Sequence, residues 1–118
     1  MKNIKSYIYN LEARIKKLDL LKIQKIEDII FKKIKEDKKI FVCGNGGSAS
    51  IANHFLCDFN KGIKLSSKNK LKPKIVSLSN NIESILAIAN DISFNKIFSF
   101  QLDNYYTKGD IVILLSCS

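Results

Sequence analysis

Several things are nearly missing from this chain. It has no tryptophan, one proline, one histidine, one methionine and, at Arg14, a single arginine. No stretch approaches the roughly 18 consecutive apolar residues of a membrane span, so no membrane association is expected. The opening residues Met1-Lys2-Asn3-Ile4-Lys5-Ser6 hold neither an apolar run nor a small-residue cleavage site, which predicts no secretory leader and a cytoplasmic location. Three cysteines, Cys43, Cys57 and Cys117, are odd in number and lack metal-type spacing, so reduced thiols are expected. The shortage of arginine bears on the net charge of +9, which is carried almost wholly by lysine. Nucleic-acid surfaces favour arginine forks and clustered exposed aromatics, and neither occurs as a cluster here. The excess also sits in residues 1–74, whereas residues 75–118 carry two basic and four acidic groups. Nucleic acid is therefore not an expected partner, although a basic surface favours an anionic ligand.

What is present suits one folded unit: 118 residues, 46% of them apolar, argue for a globular domain with a single core. Ile4, Ile8, Leu11, Ile15 and Leu18 recur at intervals of 4, 3, 4 and 3, one helical stripe. A second stripe runs through Ile23, Ile26, Ile30 and Ile34, widened by Ile29 and Phe31. Residues 3–37 are thus one long helix or two broken near Asp19, and residues 1–37 form a helical region ahead of a unit spanning 38–118. The stripes suit packing on the chain's own core or on a partner subunit equally well.

Lys39-Ile40-Phe41-Val42-Cys43 reads as a buried parallel strand, and a helix is expected from Ser48 to about Asn60. Lys61–Lys74, with six lysines and Pro73, reads as a solvated loop. A second strand over 74–78, helical segments near 81–90 and 94–106, a turn at Gly109-Asp110 and a strand over 111–115 follow. The order βαβ(αα)β predicts an α/β fold: a parallel sheet between helical layers, preceded by the N-terminal helices.

Between the first strand and its helix lies Gly44-Asn45-Gly46-Gly47-Ser48. Glycines let the chain turn sharply and let a ligand approach the backbone, while Ser48 is a candidate N-cap whose helix aims its first N–H groups at the loop. Such a loop suits an anion or a hydroxyl-rich ligand; it also suits a tight turn with no ligand. The spacing Gly44-x-Gly46-x-x-Ala49 meets the relaxed dinucleotide fingerprint, but the second strand leads into Ser79-Asn80-Asn81, with no acid before Glu83 to hold a ribose.

Three segments together resemble the SIS (sugar isomerase) family, in its phosphoheptose isomerase branch. They are Cys43-Gly44-Asn45-Gly46-Gly47-Ser48 followed by His54-Phe55, then Ala89-Asn90-Asp91 with Phe94-Asn95-Lys96-Ile97-Phe98, then Lys108-Gly109-Asp110-Ile111-Val112 leading to Ser116-Cys117-Ser118. The resemblance implies a three-layer αβα sandwich of flavodoxin-like type and conversion of sedoheptulose 7-phosphate to an aldoheptose phosphate for bacterial lipopolysaccharide or capsule. It implies substrate contacts at Asn45, Gly46, Gly47 and Ser48, at Asn90 and Asp91, and at Ser116, Cys117 and Ser118, the start of a serine-rich phosphate loop. It also implies a homo-oligomer, tetrameric in the family.

Aldose–ketose isomerisation moves a proton between adjacent carbons and needs a base and an acid. His54 and Asp58, four apart, share a helix face beyond the loop. By resemblance Asp58 stands where the family has its candidate base, a glutamate, and is one methylene shorter. Some relatives bind zinc through this pair and two further ligands; His54 and Asp58 supply two of the four zinc usually takes, so no cofactor is required on this chain. A hydrogen-bonded helix histidine with no catalytic role is the other reading of His54.

Family chains continue beyond the point matched by Ser118, so the sheet is expected to be incomplete at its C-terminal side and the strand 111–115 to have an unpaired apolar edge. The α-carboxylate of Ser118 would oppose an anion there. The expectation is a marginally stable chain without isomerase turnover of its own. Three readings stand: a truncated isomerase, a non-catalytic sugar-phosphate-binding module, and a structural partner of a longer SIS subunit.

Overall fold

A computed structural model describes residues 2–117. Its centre is a three-stranded parallel sheet in the order β2-β1-β3, built from β1 (Lys39–Gly44), β2 (Lys74–Ser77) and β3 (Ile111–Leu115). Ile40 pairs with Ile75 on one side and Ile111 on the other, and Val42 with Ser77 and Ile113.

Alternation along β1 sends side chains to opposite faces. Ile40 and Val42 join Ile34, Ala52 and Ile75 in one core cluster, with Phe55, Phe59, Ile111 and Ile113 against it. Phe41 and Cys43 join Leu78 on the other face, covered by Phe98 and Leu102. Helices therefore cover both faces, and the architecture is the αβα sandwich the pattern predicts. No helix among the described residues is long and apolar enough to cross a membrane.

Two helices precede the sheet, α1 (Lys2–Ile15) and α2 (Leu20–Lys35), and the break falls where Asp19 caps α2 by accepting from the Lys22 N–H at 3.1 Å. Asp19 lacks an apolar partner in either stripe and offers the carboxylate that a helix start favours. Only the C-terminal half of α2 reaches the core, through Ile30 and Ile34.

Helix α3 (Gly47–Cys57) runs on into a π-helical turn, Asp58–Ile63, and a last short turn, α4 (Lys64–Ser66). The lysine-rich stretch is thus helical as far as Ser66, not a loop from Lys61. Phe55 and Phe59 stack with ring centroids 4.1 Å apart. Asn60 turns its carboxamide onto β2, donating to the Ile75 C=O at 2.9 Å and accepting from its N–H at 3.0 Å. These two contacts hold the extra turn against the sheet, and composition alone did not announce them. After β2 come α5 (Ile82–Asp91), capped by Asn81, a 3-10 turn at Phe94–Lys96 and α6 (Ser99–Tyr105).

The loop into β3 is tied to the start of β1 by Asp110. Its carboxylate accepts from the Lys39 N–H at 2.9 Å, the Thr107 N–H at 2.8 Å and the Thr107 hydroxyl at 3.0 Å, with the Lys39 ammonium at 3.4 Å. Burial pushes this acid up, but the hydrogen bonds to Thr107 and Lys39 outweigh it and hold the carboxyl down at about 2.

Candidate functional site

With β2 and β3 on opposite sides of β1, the strand order reverses beside β1, and a crevice opens beyond the carboxyl ends of the strands. The hollow there, about 580 Å3, is walled by the loop Gly44–Ser48, by Ile51 and Phe98, and by Leu114, Leu115, Ser116 and Cys117.

Gly44 ends β1, and a Cβ on it would lie 2.6 Å from the Ser48 Cβ and 2.7 Å from the Ser48 carbonyl. Only glycine lets α3 start this close to the strand. Gly46 has φ 55°, the left-handed region, and serves as the N-cap. The helix therefore begins two residues earlier than a Ser48 cap would allow. Ser48 lies inside the first turn instead, its N–H donating to the Asn45 C=O at 3.0 Å. Its buried hydroxyl sits 3.8 Å from the Cys117 thiol across the crevice. Asn45 accepts from the Gly46 N–H through its own Oδ1 at 3.0 Å, so what it best offers a ligand is its NH2 donors. Cys43 is buried at the crevice floor, and burial pushes its thiol up, away from the nucleophilic thiolate.

The expected substrate contacts divide. Asn45, Gly46, Gly47, Ser48, Ser116 and Cys117 converge on this one hollow. Asn90 and Asp91 end α5, exposed and bonded to each other at 2.8 Å, and do not line it. His54 and Asp58 line an adjacent hollow with Ser50 and Phe55, and Ile51 forms part of both walls. His54 Nε2 and Asp58 Oδ2 stand 3.5 Å apart with side chains 77% and 61% exposed. Ser118 lies outside the described residues.

His54 and Asp58 account for two zinc ligands. No group of three or more metal-binding side chains occurs among the described residues, and zinc usually takes four ligands. Sequence reasoning did not pick out Ile51, Phe98 or Leu114 as walls. The rule that open α/β sheets bind ligands beyond the carboxyl ends of their strands would have found Leu114.

The fold is an α/β domain with a crevice at a strand-order reversal, the place where open α/β sheets bind their ligands. Residues 5–118 match the SIS domain, and the chain belongs to that family. It is 36% identical over 96 residues to the phosphoheptose isomerase of Helicobacter hepaticus, covering 81% of this chain and 47% of that one. To the probable phosphoheptose isomerase of Thermoplasma acidophilum it is 38% identical over 101 residues, 86% of this chain and 54% of the relative. The phosphoheptose isomerase structure from Neisseria gonorrhoeae superposes with a TM-score of 0.79 at 29% identity, over 99% of this chain and 58% of that one. The structure from Francisella tularensis, at 24% identity and a TM-score of 0.85, has the same fold. The chain spans about half the length of the curated relatives it matches.

Proposed function

We propose that this chain supplies the sugar-phosphate-binding half of a phosphoheptose isomerase-type enzyme, with a phosphorylated ketose such as sedoheptulose 7-phosphate as its ligand. The observation that carries the reading is the meeting of the glycine loop with residues 114–117 across one crevice. The Asn45 amide NH2 and the hydroxyls of Ser48 and Ser116 are donors suited to an anionic, hydroxyl-rich ligand.

In this reading Asp58 takes the carbon-bound proton and His54 manages the oxygens of the enediol. Zinc enters only if ligands beyond His54 and Asp58 are supplied. The protein works as a homo-oligomer, for which the stripe of α1 is the candidate contact: Ile4, Ile8, Leu11 and Ile15 are 65%, 56%, 46% and 57% exposed.

A second reading, binding without turnover, is favoured by the exposure of His54 and Asp58 outside the loop's own crevice. The purified protein, titrated with sedoheptulose 7-phosphate and followed by melting temperature and by NMR of the sugar, separates the two. A saturable rise in melting temperature is expected. Appearance of the aldose phosphate selects the isomerase, and binding without it selects the module. No saturable shift would sink both.

A further inference from the structure

We propose that Ser79 is a positioning residue of the glycine loop, holding both backbone groups of Gly44 with one hydroxyl and thereby setting the angle at which the loop meets its ligand. The inference rests on the sugar-phosphate reading of the crevice.

The last backbone rung between β1 and the chain leaving β2 is the Leu78 N–H donating to the Val42 C=O at 2.9 Å. In a parallel strand the N–H and C=O of one residue face the same neighbour, so Gly44 next requires a donor and an acceptor from the β2 side. By then the chain from β2 has turned away at Leu78-Ser79. The Ser79 hydroxyl fills the gap, accepting from the Gly44 N–H at 3.1 Å and donating to the Gly44 C=O at 2.8 Å. A hydroxyl is the smallest side-chain group that can do both at once.

The far end of the loop is tied to the same place. Asn53, on α3, accepts from the Ser77 hydroxyl at 2.6 Å and reaches the Ser79 C=O at 3.5 Å, and the Ser79 N–H donates to the Ser77 hydroxyl at 3.2 Å. The loop is thus bracketed: Gly44 at its start is fastened to Ser79, and α3 beyond its end to Ser77 and Ser79 through Asn53. What lies between is short, and its backbone is held in place before any ligand arrives, which lowers the cost of binding.

Asn60 provides a matched control. It holds the N–H and C=O of Ile75 as Ser79 holds those of Gly44, but at the far side of β2 from the crevice. Ser79→Ala, Ser79→Thr and Asn60→Ala are compared with the unaltered protein by titration with sedoheptulose 7-phosphate and by amide hydrogen exchange at residues 46–49. Ser79→Ala is expected to weaken binding about tenfold or more, the worth of one or two hydrogen bonds, and to raise loop exchange. Ser79→Thr, which keeps the hydroxyl, and Asn60→Ala, which loosens a strand elsewhere, are expected to stay within about twofold. Equal weakening by Ser79→Ala and Asn60→Ala, or none by either, overturns the positioning role. If the unaltered protein does not bind the sugar, the ligand reading fails, and the exchange comparison alone decides whether Ser79 holds the loop.

Discussion

Strand β1 and helix α1 carry comparable apolar signals in the sequence and end in opposite surroundings. Ile40, Phe41 and Val42 are fully buried, whereas no large apolar side chain of α1 is buried. The strand lies between two others with helices on both faces, so its burial follows from the chain's own topology. The helix has a well-formed stripe, but no element among the described residues covers it. An apolar pattern specifies which face wants burial, and neighbours decide whether it is met.

The contrast can be tested at sites of decreasing expected effect. Phe41→Ala removes a ring packed with Cys43 and Leu78 and should cost about 3–5 kcal/mol by denaturant unfolding. A cost near zero would mean β1 is not the centre of the core.

Asp110→Asn should cost on the order of 2 kcal/mol at neutral pH, because an amide cannot accept from Lys39 and Thr107 together as the carboxylate does. The sign with pH follows from the lowered acid. Its contribution is full above the ordinary aspartate range near 4 and is lost as pH falls through about 2. Unfolding measured between pH 5 and pH 2 should show this slope in the native protein and lose it in the variant.

Smallest in its effect on the protomer is the pair Ile8→Lys and Leu11→Lys. Both side chains already face solvent, so the unfolding free energy should change by less than about 0.5 kcal/mol, whereas an oligomer built on this stripe, as proposed above, should dissociate by light scattering. A large loss of protomer stability would mean α1 packs on its own domain.

Much of the fold was legible because strands and helices here obey their periods. The three strands fall within a residue of their expected bounds, and the helix break at Asp19 coincides with a capping carboxylate. The glycine loop was legible for the same reason, since Gly44 and Gly46 do what only glycine can. The misses share another cause. Asn60 on Ile75 and Ser79 on Gly44 are side chains standing in for a neighbouring strand, and no periodicity marks a residue that imitates backbone. Ser48 failed as a cap because Gly46 turns the chain two residues sooner, a choice set by backbone dihedral and not by side-chain chemistry.

The carboxamide of Asn60 has a consequence for how this sheet can meet other chains. A free strand edge is a template, and β2 has part of its edge occupied at Ile75 by a side chain that cannot propagate the ladder. At the opposite edge β3 pairs with β1 alone among the described strands. A strand adding beside β2 would have to displace that carboxamide, so the two ends of the sheet are not equivalent templates.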